Sequence, residues 1–339
     1  MLVTNNDKVG KWFMYKVNGQ VKRCQIPGMT TVELPDLISS VQIIKNQYDL
    51  KVAHINSFLN RGLDGDFTSV PTSDSIPTSS NATVQAWIDK IELDGYSYPS
   101  QSKVNVYTAA FDYADTQGLT SQFQLLCCFN VNDRNVMKIP FIHSGGALKR
   151  LEEVVYQGNG LIFYANEGFT TSNGTDMGYF RTNWVESVDA STPMLNNTSL
   201  GGYVLDQSVN TSGNIGGTIS SDYTNSTQLI PKYSPASTTA VLIQSLGNIL
   251  APTTNFVGDG HIYSTLYNDT LTLYIDGVSV GNISSPSDGV SDLQDCIGTI
   301  EVDGVPADTN TEYKLAIYYR TVGNINTTHL NTFINMLML

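Results

Sequence analysis

The later two-thirds of the chain is a series of short apolar runs, most of them bounded by Gly, Pro, Asn, Asp or Ser. In many runs apolar and polar residues alternate, which is the pattern of a strand with one buried face. Short strands with turn residues between them predict a β-sandwich or a barrel. The clearest runs are 123–131, 136–143, 161–165, 177–181, 239–244, 261–267, 270–275, 297–302 and 313–319.

Two segments in this part of the chain have apolar residues at helical spacing instead. They are 148–156 and 328–338, and both are predicted to be helices. The second would close the chain as a docked terminal helix.

The composition supports a mainly β fold and excludes some partners. Only 14% of the residues are charged, against about 25% in an ordinary globular protein. The polar surface must therefore come from Ser, Thr, Asn, Gly and Tyr, which favour strands, turns and loops. A net charge of −13 argues against nucleic acid as a partner. No apolar run reaches the roughly 18 residues of a membrane span, so membrane insertion is not predicted.

The first 63 residues have a pattern of their own, a hairpin followed by a helix. Asn18-Gly19 between two strand-like runs predicts a tight β-hairpin. Apolar residues at three- and four-residue spacing over 36–61 predict one long helix, which would either join copies of the chain or pack on its own domain. Residues 1–61 carry a net charge of +4, which suits an acidic partner or reflects a compositional difference between two domains.

Residues 64–100 are predicted to be a connecting segment. Residues 64–83 are rich in Ser and Thr and contain Pro71 and Pro77, and a short amphipathic stretch follows at 84–93. The sequence thus divides into an attachment region at 1–63, a linker with an amphipathic piece at 64–100, and a β-sandwich at 101–339.

The four cysteines predict neither a metal site nor a disulfide framework. Cys24, Cys127, Cys128 and Cys296 do not have metal-ligand spacing. Adjacent residues of a strand point to opposite faces, so Cys127 and Cys128 cannot readily pair with each other. The prediction is reduced, buried thiols in a protein assembled in a cytosol.

No constellation of reactive residues indicates catalysis. The four histidines are scattered, and none has a neighbour at metal-ligand spacing. No strand carries the alternating acids of a glycosidase cleft. Asp288, Asp292 and Asp295 share one loop, which would suit either a calcium ion or a solvated helical turn. We therefore predict no enzyme activity, no cofactor and no metal.

Several motifs resemble one fold family. In 270–284, Leu271 and Leu273 alternate with polar residues before the Asp276-Gly277 turn, and this string is similar to a hairpin of concanavalin A-like or laminin G-like jelly-roll sandwiches. The segments 161–180, 201–205, 314–321 and 326–336 follow the order of other strands and of the closing helix in such domains of tailed-bacteriophage virion proteins. The resemblance covers about 155–339. It implies a mainly β, concanavalin-like jelly-roll sandwich, with a smaller α+β N-terminal region and a C-terminal helix.

The same resemblance implies a structural protein of a phage virion, either a head fibre, a capsid decoration or a tail appendage. Its partners would be other capsid or tail proteins and further copies of itself, for example in a trimer. It would be made in the host cytoplasm and localise to the virion. The alternative is a lectin-like receptor-binding module for host surface glycans, and both functions could belong to one protein.

Glycan binding needs exposed aromatic rings beside amide and hydroxyl groups. The candidate glycan-binding residues are Trp184, Tyr203, Tyr263 and Tyr267. Tyr263 and Tyr267 would share one face of a strand, where they could form a binding platform or lie in the core.

Overall fold

The computed structural model divides the chain into two compact units, Met1–Ile76 and Pro77–Leu339. Among the helices of the described residues, none is long and apolar enough to cross a membrane. The structure describes residues 2–5, 11–17, 20–26, 30–33, 38–40, 50–54, 76–173, 175–189, 197–207, 213–219, 225–233, 238–245, 248–250, 256–284, 293–302, 305–307 and 313–339.

The first unit contains two three-stranded antiparallel sheets. One has the order β4-β1-β6 and the other β3-β2-β5. The strands are β1 (Leu2–Asn5), β2 (Lys11–Val17), β3 (Gln20–Ile26), β4 (Thr30–Glu33), β5 (Ile38–Ser40) and β6 (Leu50–His54).

The predicted hairpin is confirmed, whereas the predicted helix over 36–61 is wrong. Strands β2 and β3 pair from Lys11↔Ile26 to Val17↔Gln20, on either side of Asn18-Gly19. Strands β5 and β6 lie inside the expected helix. In β6 the apolar Leu50 and Val52 alternate with other residues, and this two-residue period fits a strand that pairs with β1. An oligomerising helix over 36–61 is therefore excluded.

The second unit begins with helices and continues as strands. The elements are α1 (Ala82–Asp94), α2 (Gln101–Thr116), β7 (Phe123–Cys128), β8 (Ile142–His143), β9 (Glu152–Gln157), β10 (Ile162–Tyr164), β11 (Gly168–Thr170), β12 (Met177–Val185), α3 (Glu186–Asp189), β13 (Asn197–Gln207), β14 (Gly216–Ile219), β15 (Asn225–Tyr233), β16 (Thr238–Ser245), β17 (Asn248–Leu250), β18 (Gly258–Tyr267), β19 (Thr270–Ile275), β20 (Val278–Ser284), β21 (Gln294–Ile297), β22 (Ile300–Val302), β23 (Val305–Ala307), β24 (Lys314–Val322) and α4 (Thr327–Leu337).

These strands form two large antiparallel sheets, which confirms the predicted mainly β sandwich with a C-terminal helix. The nine-stranded sheet has the order β10-β11-β24-β13-β18-β19-β20, with β7 also paired to β24 and β8 paired to β7. The seven-stranded sheet has the order β17-β16-β15-β14-β21-β12-β9, and β22 and β23 form a separate hairpin.

The inner faces of the two sheets share one apolar core. Leu271 and Leu273 of the nine-stranded sheet are fully buried in the same cluster as Leu229 and Ile297 of the seven-stranded sheet. A buried ion pair also crosses between the sheets, because Arg320 on β24 lies 2.6 Å from a carboxylate oxygen of Asp295 on β21.

Helices cover part of the outer face of the nine-stranded sheet. Phe333 of α4 packs against Phe111 of α2 and Phe123 of β7, with ring centroids 5.3 and 5.5 Å apart. The Asn326 side chain caps α4 by accepting a hydrogen bond from the backbone N–H of His329. The helix thus begins beside the sheet and lies along it.

Four stretches differ from the sequence prediction. In the run 136–143, Val136–Lys138 is a 3-10 helix and only Ile142–His143 is strand. Residues 101–116 are helix α2 rather than the start of the strands, and its buried side chains from Val104 to Ala114 recur every three or four residues. Residues 152–157 form edge strand β9 rather than part of a helix at 148–156, because they pair with β12. The amphipathic piece at 84–93 lies in helix α1, within the same compact unit as the sandwich.

Candidate functional site

Beyond the first turn of α4, the outer face of the nine-stranded sheet is not covered by the helix and forms a groove. The groove, with a volume of about 340 Å³, lies between β13, β18 and β19 and the turn that follows β24. Its lining residues are Thr198, Ser199, Thr265, Leu266, Tyr267, Asn268, Thr270, Thr272, Tyr274, Gly323, Asn324, Ile325 and Thr327. We call this depression the outer groove.

Strand pairing places a row of hydroxyl side chains across the groove. Ser199 on β13 pairs with Thr265 on β18, which in turn pairs with Thr272 on β19. Directly paired residues of neighbouring strands point to the same face of the sheet. The three side chains therefore form one polar row, and the apolar residues on either side of Thr272, Leu271 and Leu273, face the core.

Aromatic rings lie on either side of this polar row. Tyr267 is 40% exposed, at the end of β18. Tyr274 is half-buried and stacks on Tyr263, with ring centroids 4.8 Å apart and an angle of 3° between the planes. Tyr263 stacks in turn on His261 at 4.5 Å. The Tyr274 ring is consequently fixed in orientation before any ligand arrives.

A buried hydrogen-bond network supports this stack from below α4. The two ring nitrogens of His261 lie 2.8 Å from Asn331 Oδ1 and 2.8 Å from the hydroxyl of Tyr319. Since a carbonyl oxygen only accepts, Nδ1–H donates to Asn331 and Nε2 accepts from Tyr319 in the neutral ring. Burial lowers the pKa of His261 to about 4, which keeps the imidazole uncharged at neutral pH.

Ser199 lies on the floor of the groove and differs from its neighbour. Its side chain is buried, and its hydroxyl has no hydrogen-bond partner among the described residues. The hydroxyl of Thr198 donates to the carbonyl oxygen of Thr321 at 3.0 Å. The floor of the groove thus contains an unsatisfied polar group, which is uncommon in a folded protein.

Of the four residues that the sequence nominated for glycan binding, only Tyr267 lines the outer groove. Trp184 and Tyr263 are fully buried, so neither can offer a ring face to a sugar, and for these two the nomination is wrong. The Trp184 indole N–H donates to Ser144 Oγ at 2.8 Å, and the Tyr263 hydroxyl donates to the carbonyl oxygen of Thr327. Tyr203 is half-buried and pairs with His261, away from the groove.

Sequence reasoning missed Tyr274, Thr265 and Thr272 as site residues. The signal was present, because the alternation of Leu271 and Leu273 with their neighbours already places Thr272 and Tyr274 on the opposite face. What the sequence could not show is that this face stays open beside α4.

Two of the partly buried glutamates are paired with cations. Glu301 accepts two hydrogen bonds from Arg181 at 2.6 Å each, and the arginine holds the pKa of Glu301 below its ordinary value. Glu153 is paired with Arg134 and Lys138. In the described part of the chain, no group of three or more His, Cys, Asp or Glu side chains could hold a metal ion.

The acidic loop considered for calcium is only partly described. Asp288 and Asp292 lie outside the described residues. Asp295 lies on β21 and is buried against Arg320 and Tyr318, so its carboxylate is already engaged. The thiols of Cys127, Cys128 and Cys296 are free and buried, as the sequence predicted, and burial raises the pKa of each.

A second depression, of about 480 Å³, lies between the start of α2 and the end of α4. Lys103 lines it together with apolar Met338 and Leu339, and no aromatic ring is among the described residues around it. It therefore lacks the combination of rings and hydroxyls found in the outer groove.

Comparison with known proteins gives no family assignment. No protein-family model and no curated protein matches the chain. Solved structures that are similar include a mutant Trypanosoma rangeli sialidase with trans-sialidase activity, at 12% identity and a TM-score of 0.45 over 70% of this chain and 39% of that one. The binding domain of botulinum neurotoxin serotype D is 13% identical, with a TM-score of 0.42 over 63% of this chain and 51% of that one.

Domain 4 of a GH43 extracellular arabinanase from Geobacillus stearothermophilus, in complex with arabinotriose, is 14% identical, with a TM-score of 0.44 over 63% of this chain and 98% of that one. The chain spans between 39% and 52% of the sialidase and neurotoxin-domain structures. At these identities the likeness concerns the β-sandwich fold, and it carries no argument about a ligand.

Proposed function

We propose that this chain is a non-catalytic, carbohydrate-binding β-sandwich and that the outer groove is its binding site. The observation that supports the proposal is the make-up of the groove, in which Tyr267 and Tyr274 lie beside Thr265, Thr272 and other neutral polar groups. Sugars present apolar ring faces and hydroxyl groups, so their recognition calls for aromatic surfaces next to hydrogen-bonding groups.

The size and rigidity of the groove fit this function. Its volume of about 340 Å³ lies at the lower end of the range for small-ligand sites, roughly 300–1,000 Å³. The groove is built on three paired strands, and sites on regular elements hold their side chains more precisely than sites on loops. A short oligosaccharide segment would therefore meet side chains that are already in place.

The test is binding of the full chain to an array of oligosaccharides, with Tyr267→Ala as the site variant. Tyr156 is also exposed but lies on β9 of the other sheet, so Tyr156→Ala is the matched control. Loss of the stacking ring is expected to weaken binding by about two- to tenfold, since such contacts contribute roughly 0.5–1.5 kcal/mol beyond area burial. Equal binding by wild type and Tyr267→Ala, or no bound glycan at all, would overturn the proposal. Bound glycan recovered intact would support the absence of catalysis.

We further propose that the module belongs to a phage virion and that residues 1–63 attach it to the particle. The charge distribution supports an attachment role, because residues 1–61 carry a net charge of +4 and the rest of the chain about −17. Immunogold labelling of intact particles of the source phage, with an antibody against residues 101–339, tests whether the chain is part of the virion. Label on the head or the tail would support it, and particles without label would remove it.

A further inference from the structure

We infer that the outer groove selects uncharged sugars and rejects acidic ones such as sialic or uronic acids. The inference rests on the proposed function and specifies the class of ligand. Its basis is the distribution of charge around the groove, which is independent of the aromatic rings that support binding as such.

Among the described residues, the groove has no cation that could pair with a carboxylate. None of the described residues that line it is charged. The described strands β13, β18, β19 and β20 contain neither lysine nor arginine. The titratable His261 on β18 is buried beneath α4 in its neutral form. A sugar carboxylate in the groove would lose water without gaining a counter-charge, and this carries a large free-energy cost.

The cations of the neighbouring strand β24 are already engaged elsewhere. Arg320 points into the core, where it pairs with Asp295 at 2.6 Å. Lys314 lies at the opposite end of β24 and pairs with Asp206 at 2.7 Å. Neither side chain is available at the groove.

The charge at the rim of the groove is negative. Asp269 lies in the turn between β18 and β19 and is flanked by the groove residues Asn268 and Thr270. Its side chain is exposed, and the net charge of −13 on the whole chain adds a repulsion of longer range. An acidic sugar would therefore meet like charge at the rim and no compensating charge inside.

The neutral groups of the groove are those that sugar hydroxyls can use. Thr265, Thr272 and Asn324 present hydroxyl and amide groups, and these both donate and accept hydrogen bonds. Such groups bind hydroxyl or N-acetyl substituents without a change in charge. Binding of a neutral sugar should accordingly depend little on salt.

The experiment measures the full chain on an array in which each neutral oligosaccharide stands beside the same oligosaccharide carrying a sialic or uronic acid, at low and high salt. We expect at least about tenfold tighter binding of the neutral member, because like-charge juxtaposition costs several kcal/mol. Equal or tighter binding of the acidic member would overturn the inference while leaving glycan binding intact. No binding of either member would overturn both the inference and the proposed function.

Two variants locate the selectivity in the groove. Asp269→Asn removes the rim charge, and Asn tolerates the left-handed backbone of this position, where φ is 58°. It should raise the affinity for acidic sugars several-fold without changing that for neutral ones. Thr272→Lys places a cation in the groove and should raise the affinity for acidic sugars further. Unchanged discrimination in both variants would show that the selectivity arises elsewhere.

Discussion

Tyr263 and Tyr267 lie four residues apart on the same face of strand β18, yet their surroundings are opposite. Tyr263 is fully buried beneath the start of α4, where its hydroxyl donates to the carbonyl oxygen of Thr327. Tyr267 is 40% exposed at the edge of the outer groove. One strand face is therefore divided into a covered half and an open half by the position of a single helix.

The two halves use their side chains differently. In the covered half, aromatic rings and the His261 network fill space and satisfy one another's hydrogen bonds. In the open half, hydroxyl groups and rings remain available to a ligand. Neither residue type nor strand face tells which side chains fill the core and which stay available to a ligand, since tyrosine occurs in both halves on the same face.

The largest expected effect on stability is that of Tyr263→Ala. Removing a large buried aromatic side chain costs about 3–5 kcal/mol of unfolding free energy, because the surroundings cannot close the cavity. The matched variant Tyr267→Ala should change the unfolding free energy by less than about 0.5 kcal/mol. Urea unfolding of both variants measures the difference. Similar costs for the two would show that α4 does not divide the face as described.

The covered half should also make stability dependent on pH. Burial lowers the pKa of His261 to about 4, from an unfolded value near 6.5. Because the folded pKa is the lower one, the unfolded state binds the proton first. The contribution of the buried neutral imidazole to the unfolding free energy is about 3 kcal/mol. It is fully present above about pH 6.5 and is lost as the pH falls towards 4.

Unfolding free energies of wild type and His261→Phe between pH 7 and pH 4 test this. The variant should show a smaller slope of unfolding free energy against pH than the wild type in this interval. Some slope will remain, because burial lowers the pKa of His143 and cation partners lower the pKa of Glu301 and Glu153. An unchanged slope in His261→Phe would contradict the assignment of a buried neutral imidazole.

A smaller loss of unfolding free energy is expected when Asn331, the residue of α4 that bonds His261, is replaced. Asn331→Ala removes the acceptor of the His261 Nδ1–H bond and leaves a buried donor unsatisfied. The expected loss is about 1–3 kcal/mol. His329→Ala on the same helix is the control, because that side chain bonds Tyr113 and not the network. Equal losses in the two variants would mean that Asn331 acts only through the helix.

Strands could be predicted from sequence where apolar and polar residues alternate along them with a two-residue period. Residues 270–275 form β19 as predicted, with Leu271 and Leu273 in the core. Helix α2 was not predicted although its buried residues recur at helical spacing; its valine, threonine and aromatic residues are types that favour strands. The sequence predicts a helix where β9 forms, because the conformation of β9 depends on pairing with β12, whose paired residues lie 20 to 29 positions further along the chain.

The candidate site was less predictable for a related reason. Whether Trp184 or Tyr263 is exposed depends on contacts with Ser144 and with α4, which are distant in sequence. Alternation along a strand tells which face a side chain occupies, but it does not tell what covers that face.

The smallest expected effect, and the one with the most informative sign, is that of Ser199→Ala. The Ser199 hydroxyl is buried and has no partner among the described residues, whereas that of Thr198 donates to the carbonyl oxygen of Thr321. Removing an unsatisfied buried hydroxyl should leave stability unchanged or raise it by up to about 1 kcal/mol, while Thr198→Val should lower it by about 0.5–1.5 kcal/mol. Both variants are compared by thermal and urea unfolding. If Ser199→Ala proved the more damaging of the two, its hydroxyl would have a partner in solution, and the floor of the groove would belong with the satisfied, covered half of the sheet rather than with the open one.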